Sequence, residues 1–183
     1  FIAIDIGNEV RENLVSSLME ISHLSKKVKL VKAESIHLTI KFLGNSKTSL
    51  LPNIIQNIEN AVCDMTQFQL EAKGLGAFPN LQKPRVIWAG LREKNSHILQ
   101  QLYFKIEEAM FEVGFEKERR EFKPHLTLAR IKYPERNTKL EEYISKNVNT
   151  PFGEINVKKI DLMKSTLLPQ GALYECISEI PLL

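Results

Sequence analysis

Cysteine is scarce in this chain: only Cys63 and Cys176 occur in 183 residues, too far apart to form a C-x-x-C pair. Neither a metal knuckle nor a redox couple is indicated, and two reduced thiols are the expectation, with a single disulfide as the alternative. Charge of one sign is lacking as well. The net charge is +3, which permits an anionic substrate but falls short of the basic stripe of a nucleic-acid coat protein. No apolar run nears the ~20 residues of a membrane span. The opening Phe1-Ile2-Ala3-Ile4-Asp5-Ile6 is too short, and too acidic at Asp5, for a signal peptide. A cytoplasmic location is the expectation, and because the chain opens on Phe rather than Met, a residue or two upstream is expected. Low-complexity segments and flexible linkers are absent too. Residues 1–183 therefore read as one domain, or as two small lobes on one chain, long enough to bury a core.

Histidine is also rare, with four in the chain, and half of them fall in one repeated pattern. His37-Leu38-Thr39-Ile40 and His125-Leu126-Thr127-Leu128 both read His, apolar, Thr, apolar. Both lie in segments with strand character, where residues i and i+2 share a face. Each motif then has an oily side for a core and a polar side carrying an imidazole beside a hydroxyl. One His-x-Thr alone is an ordinary strand end. Two, with matching alternation and set about half a chain apart, indicate a site and a weak internal duplication in which each lobe supplies one motif.

The rest of the chain reads as interleaved helices and strands. Phe1–Ile6 is a strand stopped by Gly7, and Asn8 is the expected N-cap of a helix with Val10, Leu14, Val15, Leu18, Ile21 and Leu24 at helical spacing. Val28–Val31 and Ile36–Leu43 are strands. A helix over 49–63 follows, with Pro52 in its first turn. Strands at 68–75 and 85–91 flank a Gly/Pro-rich connection, Gly74 to Pro84. A helix over 96–113 ends at Gly114. A strand at 125–131, a helix at 138–146 and strands at 154–163 and 172–180, around Pro169-Gln170-Gly171, close the chain. Without a strict βαβ rhythm, this predicts α+β with antiparallel sheets.

Histidine titrates nearest neutrality, so two facing imidazoles can divide acid and base work. That suits displacement at phosphorus, where water enters on one side and an alkoxide leaves on the other. The Thr hydroxyls could donate to the non-bridging oxygens as charge builds there. Zinc fits less well. It takes three or four closely spaced ligands, and His23 and His97 sit on helices with no ligand motif near them, expected to face solvent or lie half-buried.

Arg130 could clamp phosphate as a planar fork. By strict alternation it falls on the face opposite His125, and reaches the site only if the strand bulges. Lys41 shares the His37 face, where an exposed strand lysine is expected. Phe42, Phe78, Trp88 and Tyr174 could stack on a base, with core packing expected for Phe42 and Trp88. The mixed-charge run Glu116–Glu121 reads as a solvated loop.

Several blocks beyond the tetrapeptides carry a resemblance. They are Phe1-Ile2-Ala3-Ile4-Asp5, Glu34 to Gly44, Gly76-Ala77-Phe78-Pro79, Pro84-Arg85-Val86-Ile87-Trp88, Phe122 to Arg130, and Gly171-Ala172-Leu173-Tyr174-Glu175. Together they resemble the two-histidine (2H) phosphoesterases, closest to the RNA 2′,3′-cyclic phosphodiesterases once called 2′-5′ RNA ligases. The resemblance implies a bilobal fold with pseudo-twofold symmetry around a central cleft. It implies opening of 2′,3′-cyclic phosphate ends to 2′-phosphomonoesters without metal or cofactor. His37 would correspond to the acid on the leaving 3′ oxygen and His125 to the base on water, an assignment the spacing itself leaves open. Thr39 and Thr127 would hold phosphate. The implied partners are RNA ends or nucleotides bearing a cyclic phosphate, with no membrane, and a monomer is expected. Ligation of 2′-phosphate to 5′-hydroxyl ends, or a binding module without turnover, are the alternatives. Leu30 and Ala33 depart from the family pattern, standing where many relatives carry Trp and Pro.

Overall fold

A computed structural model of the chain describes residues 1–93, 97–168 and 171–183. Its strands are β1 (Ile2–Asp5), β2 (Val28–Leu30), β3 (His37–Lys41), β4 (Phe68–Phe78), β5 (Val86–Glu93), β6 (His125–Ile131), β7 (Pro151–Val157), β8 (Lys159–Leu168) and β9 (Gly171–Pro181). Its helices are α1 (Gly7–Leu24), α2 (Leu51–Val62), α3 (Ile98–Glu112) and α4 (Thr138–Lys146).

The strands pair antiparallel in the order β7-β4-β5-β6-β3-β1-β8-β9, with β2 added to β6. The two motif strands, β3 and β6, stand at the centre of this curled sheet. On either side runs a matching set of four: β6-β5-β4-β7 and β3-β1-β8-β9. The fold is thus α+β, with two antiparallel halves related by a pseudo-twofold between the motifs. The halves interleave along the chain, since the His37 half takes β1 from one end and β8 and β9 from the other. Helix α1, which leads from β1, packs on β7 of the opposite half, and α3, which leads from β5, packs on β3. Each half therefore covers the other's inner face.

That inner face is where the strand alternation goes. Leu38, Ile40, Leu126 and Leu128 join one core with Val10, Leu14, Leu18 and Ile21 of α1, whereas Val15 falls off the stripe and is exposed. Among the described residues, no helix is long and apolar enough to cross a membrane. Both cysteines are free and exposed.

Three local expectations are corrected. Asn8 is not the N-cap: α1 starts at Gly7 (φ 74°), whose amide donates to the Asp5 carboxylate at 3.1 Å. Asp5 thus supplies the acceptor expected of Asn8. Secondly, the single strand expected over 154–163 is two strands, β7 and β8, because they serve opposite edges: β7 pairs with β4 and β8 with β1. Thirdly, β4 runs through the glycine-rich segment to Phe78. It bulges after Ala72, where Gly74 (φ 80°) passes the Val148 carbonyl so closely that an added Cβ would lie 2.3 Å from its oxygen. The expected turn at Pro169-Gln170 and the expected helix start at Ser96 lie outside the described residues.

Candidate active site

The register of the two central strands builds the site. Leu38 pairs with Leu126, and both side chains are buried. One residue to either side therefore points to the opposite face. There His37 neighbours Thr127 and Thr39 neighbours His125, so the two imidazoles stand diagonally across the strand pair. Diagonal neighbours in a regular antiparallel ladder lie about 7–8 Å apart, enough to bracket a phosphate.

The two imidazoles are held in the same way. Nδ1 of His37 lies 2.8 Å from the Ser35 carbonyl, and Nδ1 of His125 lies 2.7 Å from the Lys123 carbonyl. A carbonyl only accepts, so each Nδ1 carries the proton and each Nε2 is left for chemistry. The anchors are themselves fixed. Ser35 ends a 3-10 turn that begins at Ala33, and Lys123 precedes Pro124 at the mouth of β6. Leu30, on β2, packs on the core from the edge of β6. Aromatic rings limit each imidazole. Phe1 stacks on His37 at 4.9 Å with Tyr174 edge-on at 5.3 Å, and Phe78 stands edge-on to His125 at 5.1 Å.

Burial lowers both histidine pKa values below the ordinary 6.5, because the charged ring loses solvation. The backbone hydrogen bond opposes this in each case. The Arg11 guanidinium adds to the lowering at His37, and Arg130 does so at His125. The free protein near neutrality thus holds both rings largely neutral, and an anionic phosphate between them would favour proton uptake.

Each motif is followed by a β-bulge, which reverses the alternation. Along β6 the partner on β5 steps from Thr127↔Trp88 to Ala129↔Ile87, leaving Leu128 extra. Leu128 and Ala129 are therefore both buried, and Arg130 returns to the face of His125 and Thr127. Strict alternation had placed Arg130 on the far side. Along β3 the partner on β1 steps from Thr39↔Ala3 to Lys41↔Ile2, leaving Ile40 extra.

Two expectations fall with that second bulge. Lys41 is neither exposed nor on the His37 face. It is 5% exposed, and its ammonium lies 2.7 Å from the Glu107 carboxylate of α3 and 2.9 Å from the Glu116 carbonyl. Phe42 is not core. It is 70% exposed beside Phe1, at the position matching Arg130 in the other motif. The partner of Lys41 carries no sequence signal, since Glu107 looks like any helix-surface acid. His23 and His97 are exposed, as expected, and the 116–121 run is an exposed loop.

Two cavities open beside the motifs. The larger, about 470 Å3, has His125 in its wall with Phe78, Trp88 and Phe122. Trp88, expected in the core, is half-buried there. The smaller, about 120 Å3, has His37 in its wall with Asp5, Arg11, Glu34 and Asp161. Among the described residues, one group has ligand atoms close enough to share a metal ion: Asp161, Cys176 and Glu179. The Lys159 ammonium already lies 3.3 Å from Asp161 and pairs with Glu179, and neither motif histidine belongs to the group.

The model of the AKAP7 2′5′ RNA ligase-like domain matches residues 3–182 of the chain. The chain belongs to the 2′5′ RNA ligase-like family of two-histidine phosphoesterases. The RNA 2′,3′-cyclic phosphodiesterase of Methanocaldococcus jannaschii is 37% identical over 179 residues, covering 98% of each chain. The enzyme of the same name from Archaeoglobus fulgidus is 33% identical, covering 96% of this chain and 95% of that one. Among solved structures, TT0787 of Thermus thermophilus superposes with a TM-score of 0.83 at 26% identity, covering all of this chain and 96% of that one. LigT of E. coli complexed with 3′-AMP gives a TM-score of 0.77 at 22% identity, covering 100% and 96%, a likeness of fold.

Proposed function

We propose that this two-histidine phosphoesterase is an RNA 2′,3′-cyclic phosphodiesterase, opening cyclic ends to 2′-phosphomonoesters. The observation that carries the reading is the matched pair of His-x-Thr faces on adjacent central strands, each imidazole with Nδ1 held by a carbonyl two residues upstream. The names of the relatives agree with it. The reading extends to one catalytic unit over 1–183 made of two interleaved lobes, acting as a cytoplasmic monomer on RNA ends or nucleotides.

In this reading the phosphate sits between the two Nε2 atoms. Neutral His125 takes a proton from water as the water oxygen bonds to phosphorus. Protonated His37 gives its proton to the 3′ oxygen as the P–O3′ bond breaks. Charge building on the non-bridging oxygens is met by the hydroxyls of Thr39 and Thr127 and by the Arg130 guanidinium. A cyclic phosphate is suited to this site because its ring strain lowers the barrier. The imidazoles supply both proton transfers, so no metal or cofactor is assigned a step.

The test is a product assay with cyclic mononucleotides and cyclic-ended oligonucleotides, run in excess chelator. Conversion to 2′-phosphates is expected. Conversion to 3′-phosphates, or loss of activity that zinc or magnesium restores, would refute the mechanism. Tight binding without turnover would refute the enzyme reading.

A further inference from the structure

The two halves of the site match in histidine and threonine but differ in charge. The pseudo-twofold relates them position by position. In the second half, Gly90 of β5 stands directly opposite His125, and Trp88 opposite Thr127. In the first half, Asp5 of β1 stands directly opposite His37, and Ala3 opposite Thr39. One strand further out, Gly76 pairs with Trp88, whereas Asp161 pairs with Ala3. Two carboxylates thus stand where the other half has two glycines. Position 90 has no room for a counterpart of Asp5, since an added Cβ would lie 2.7 Å from the Lys73 carbonyl oxygen.

Opposite residues of an antiparallel pair point to the same side, with Cβ atoms about 4.5–5.5 Å apart. The Asp5 carboxylate therefore stands beside the His37 imidazole, and both lie in the wall of the smaller cavity. It is held from the α1 side, accepting from the Gly7 amide and from the Arg11 guanidinium. The other titratable and charged groups around His37 are Arg11, Glu34, Asp161, Tyr174 and the terminal ammonium of Phe1. Asp161 has the Lys159 ammonium at 3.3 Å, and the Phe1 ammonium donates to the Met163 carbonyl at 2.9 Å. His125 has Arg130 instead, with Lys73, Arg92 and Lys123 in its cavity wall, where no described residue is acidic. Glu71 and Glu121 stay beside the two lysines, at 3.9 and 3.2 Å.

Burial is the largest cause lowering both imidazole pKa values, so it does not tell the rings apart. At His37 the Phe1 ammonium and Arg11 add to the lowering, and Asp5 opposes them. At His125 no carboxylate opposes Arg130. The reaction asks different things of the two rings, because the acid must take up a proton and the base must not.

We propose that Asp5 is a positioning residue for the acid: its carboxylate, set beside His37 by Arg11 and the Gly7 amide, directs the proton that arrives with an anionic phosphate onto His37 rather than His125. The inference rests on the phosphodiesterase reading and its assignment of His37 to the leaving oxygen. Asp5 acts through the charge on His37, since an opposite charge within ~4–6 Å favours the charged form. Arg11 limits that action by pairing with the same carboxylate. The two residues should therefore push His37 in opposite directions. Asp5→Asn keeps the shape and an acceptor for the Gly7 amide, but drops the charge and leaves Arg11 unopposed, so His37 binds its proton less well. Arg11→Gln frees the Asp5 charge, so His37 binds its proton better.

The chain has four histidines, few enough to follow one by one by NMR, with His37 and His125 assigned from their alanine variants. Titrated without substrate, His37 should move to lower pH in Asp5→Asn and to higher pH in Arg11→Gln, with His125 unmoved in both. The alkaline limb of kcat/KM for a 2′,3′-cyclic nucleotide reports the acid of the free enzyme and should move in the same two directions. Above neutrality, Asp5→Asn should lose several-fold in kcat/KM on the cyclic nucleotide and stay near wild type on a nitrophenyl phosphodiester, whose leaving group needs no proton. A His37 titration unchanged in both variants, or moved the same way in both, would overturn the inference. So would an equal loss on both substrates, the mark of a merely structural role. If the protein opens no cyclic phosphate, the phosphodiesterase reading fails on its own, while the NMR titrations still support or overturn the action of Asp5 on His37.

Discussion

Replacing Lys41 with Met removes one half of an ion pair whose side chains are only 4% and 6% exposed. The Glu107 carboxylate would then stay buried. It would keep only the amide of Glu118, at 3.0 Å, on the same oxygen that lost the ammonium, and its other oxygen already lacks a partner. The Glu116 carbonyl loses its 2.9 Å donor as well. An orphaned buried charge of this kind costs about 3–5 kcal/mol. At roughly 2–4 °C per kcal/mol for a domain of this size, the midpoint of thermal unfolding should fall by about 6–20 °C. The double variant Lys41→Met/Glu107→Leu removes both charges and should recover most of that loss, because burying the pair was itself costly. Urea unfolding of the wild type, both single variants and the double variant closes the cycle. A Lys41→Met protein within ~1 kcal/mol of wild type would show that the pair is solvated and that the β3 bulge does not turn Lys41 into the core.

Two further outcomes follow from the site. Both histidines have folded pKa values lowered from 6.5 by burial. Their contribution to stability is therefore present above that value and is lost as pH falls below it, toward the folded values. Thermal midpoints should drop through that window, inorganic phosphate should restore them, and product binding should take up protons in calorimetry; proton release on binding would contradict the assignment. Arg130→Ala should lower kcat/KM by about 10- to 100-fold, the scale of a lost charge-assisted hydrogen bond. Arg130→Lys should recover only part of it, lacking the planar fork, and an Ala variant within twofold of wild type would remove Arg130 from the site.

Much of this architecture could be read from residue patterns. The parity of His37 with Thr39 and of His125 with Thr127 carried through to the structure, because Leu38 and Leu126 pair in the core and fix that face. The α4 boundaries emerged as expected, where Asn137 caps the Leu140 amide at 3.1 Å. The failures share a cause, which is that bulges and edge changes are set by tertiary pairing. Strict alternation gave wrong faces for Lys41, Phe42 and Arg130, since one extra residue on each motif strand inverts every position after it. The break at Lys158 has no local breaker such as Gly or Pro. It exists because β7 and β8 belong to different halves. Trp88 looked like core, but its ring lies over Gly76, where an added Cβ would come within 2.2 Å of the indole, and in the wall of the larger cavity.

The division of labour between His37 and His125 is the centre of the account, and leaving-group dependence tests it most directly. With a cyclic nucleotide, His37→Ala and His125→Ala should each lose about 10²–10⁴ in rate, the scale of a missing acid or base. With a nitrophenyl phosphodiester, whose leaving group needs no proton, His37→Ala should recover toward wild type and His125→Ala should not. Recovery of His125→Ala would reverse the two roles. Recovery of neither, in variants with intact unfolding transitions, would contradict paired acid and base catalysis at this site.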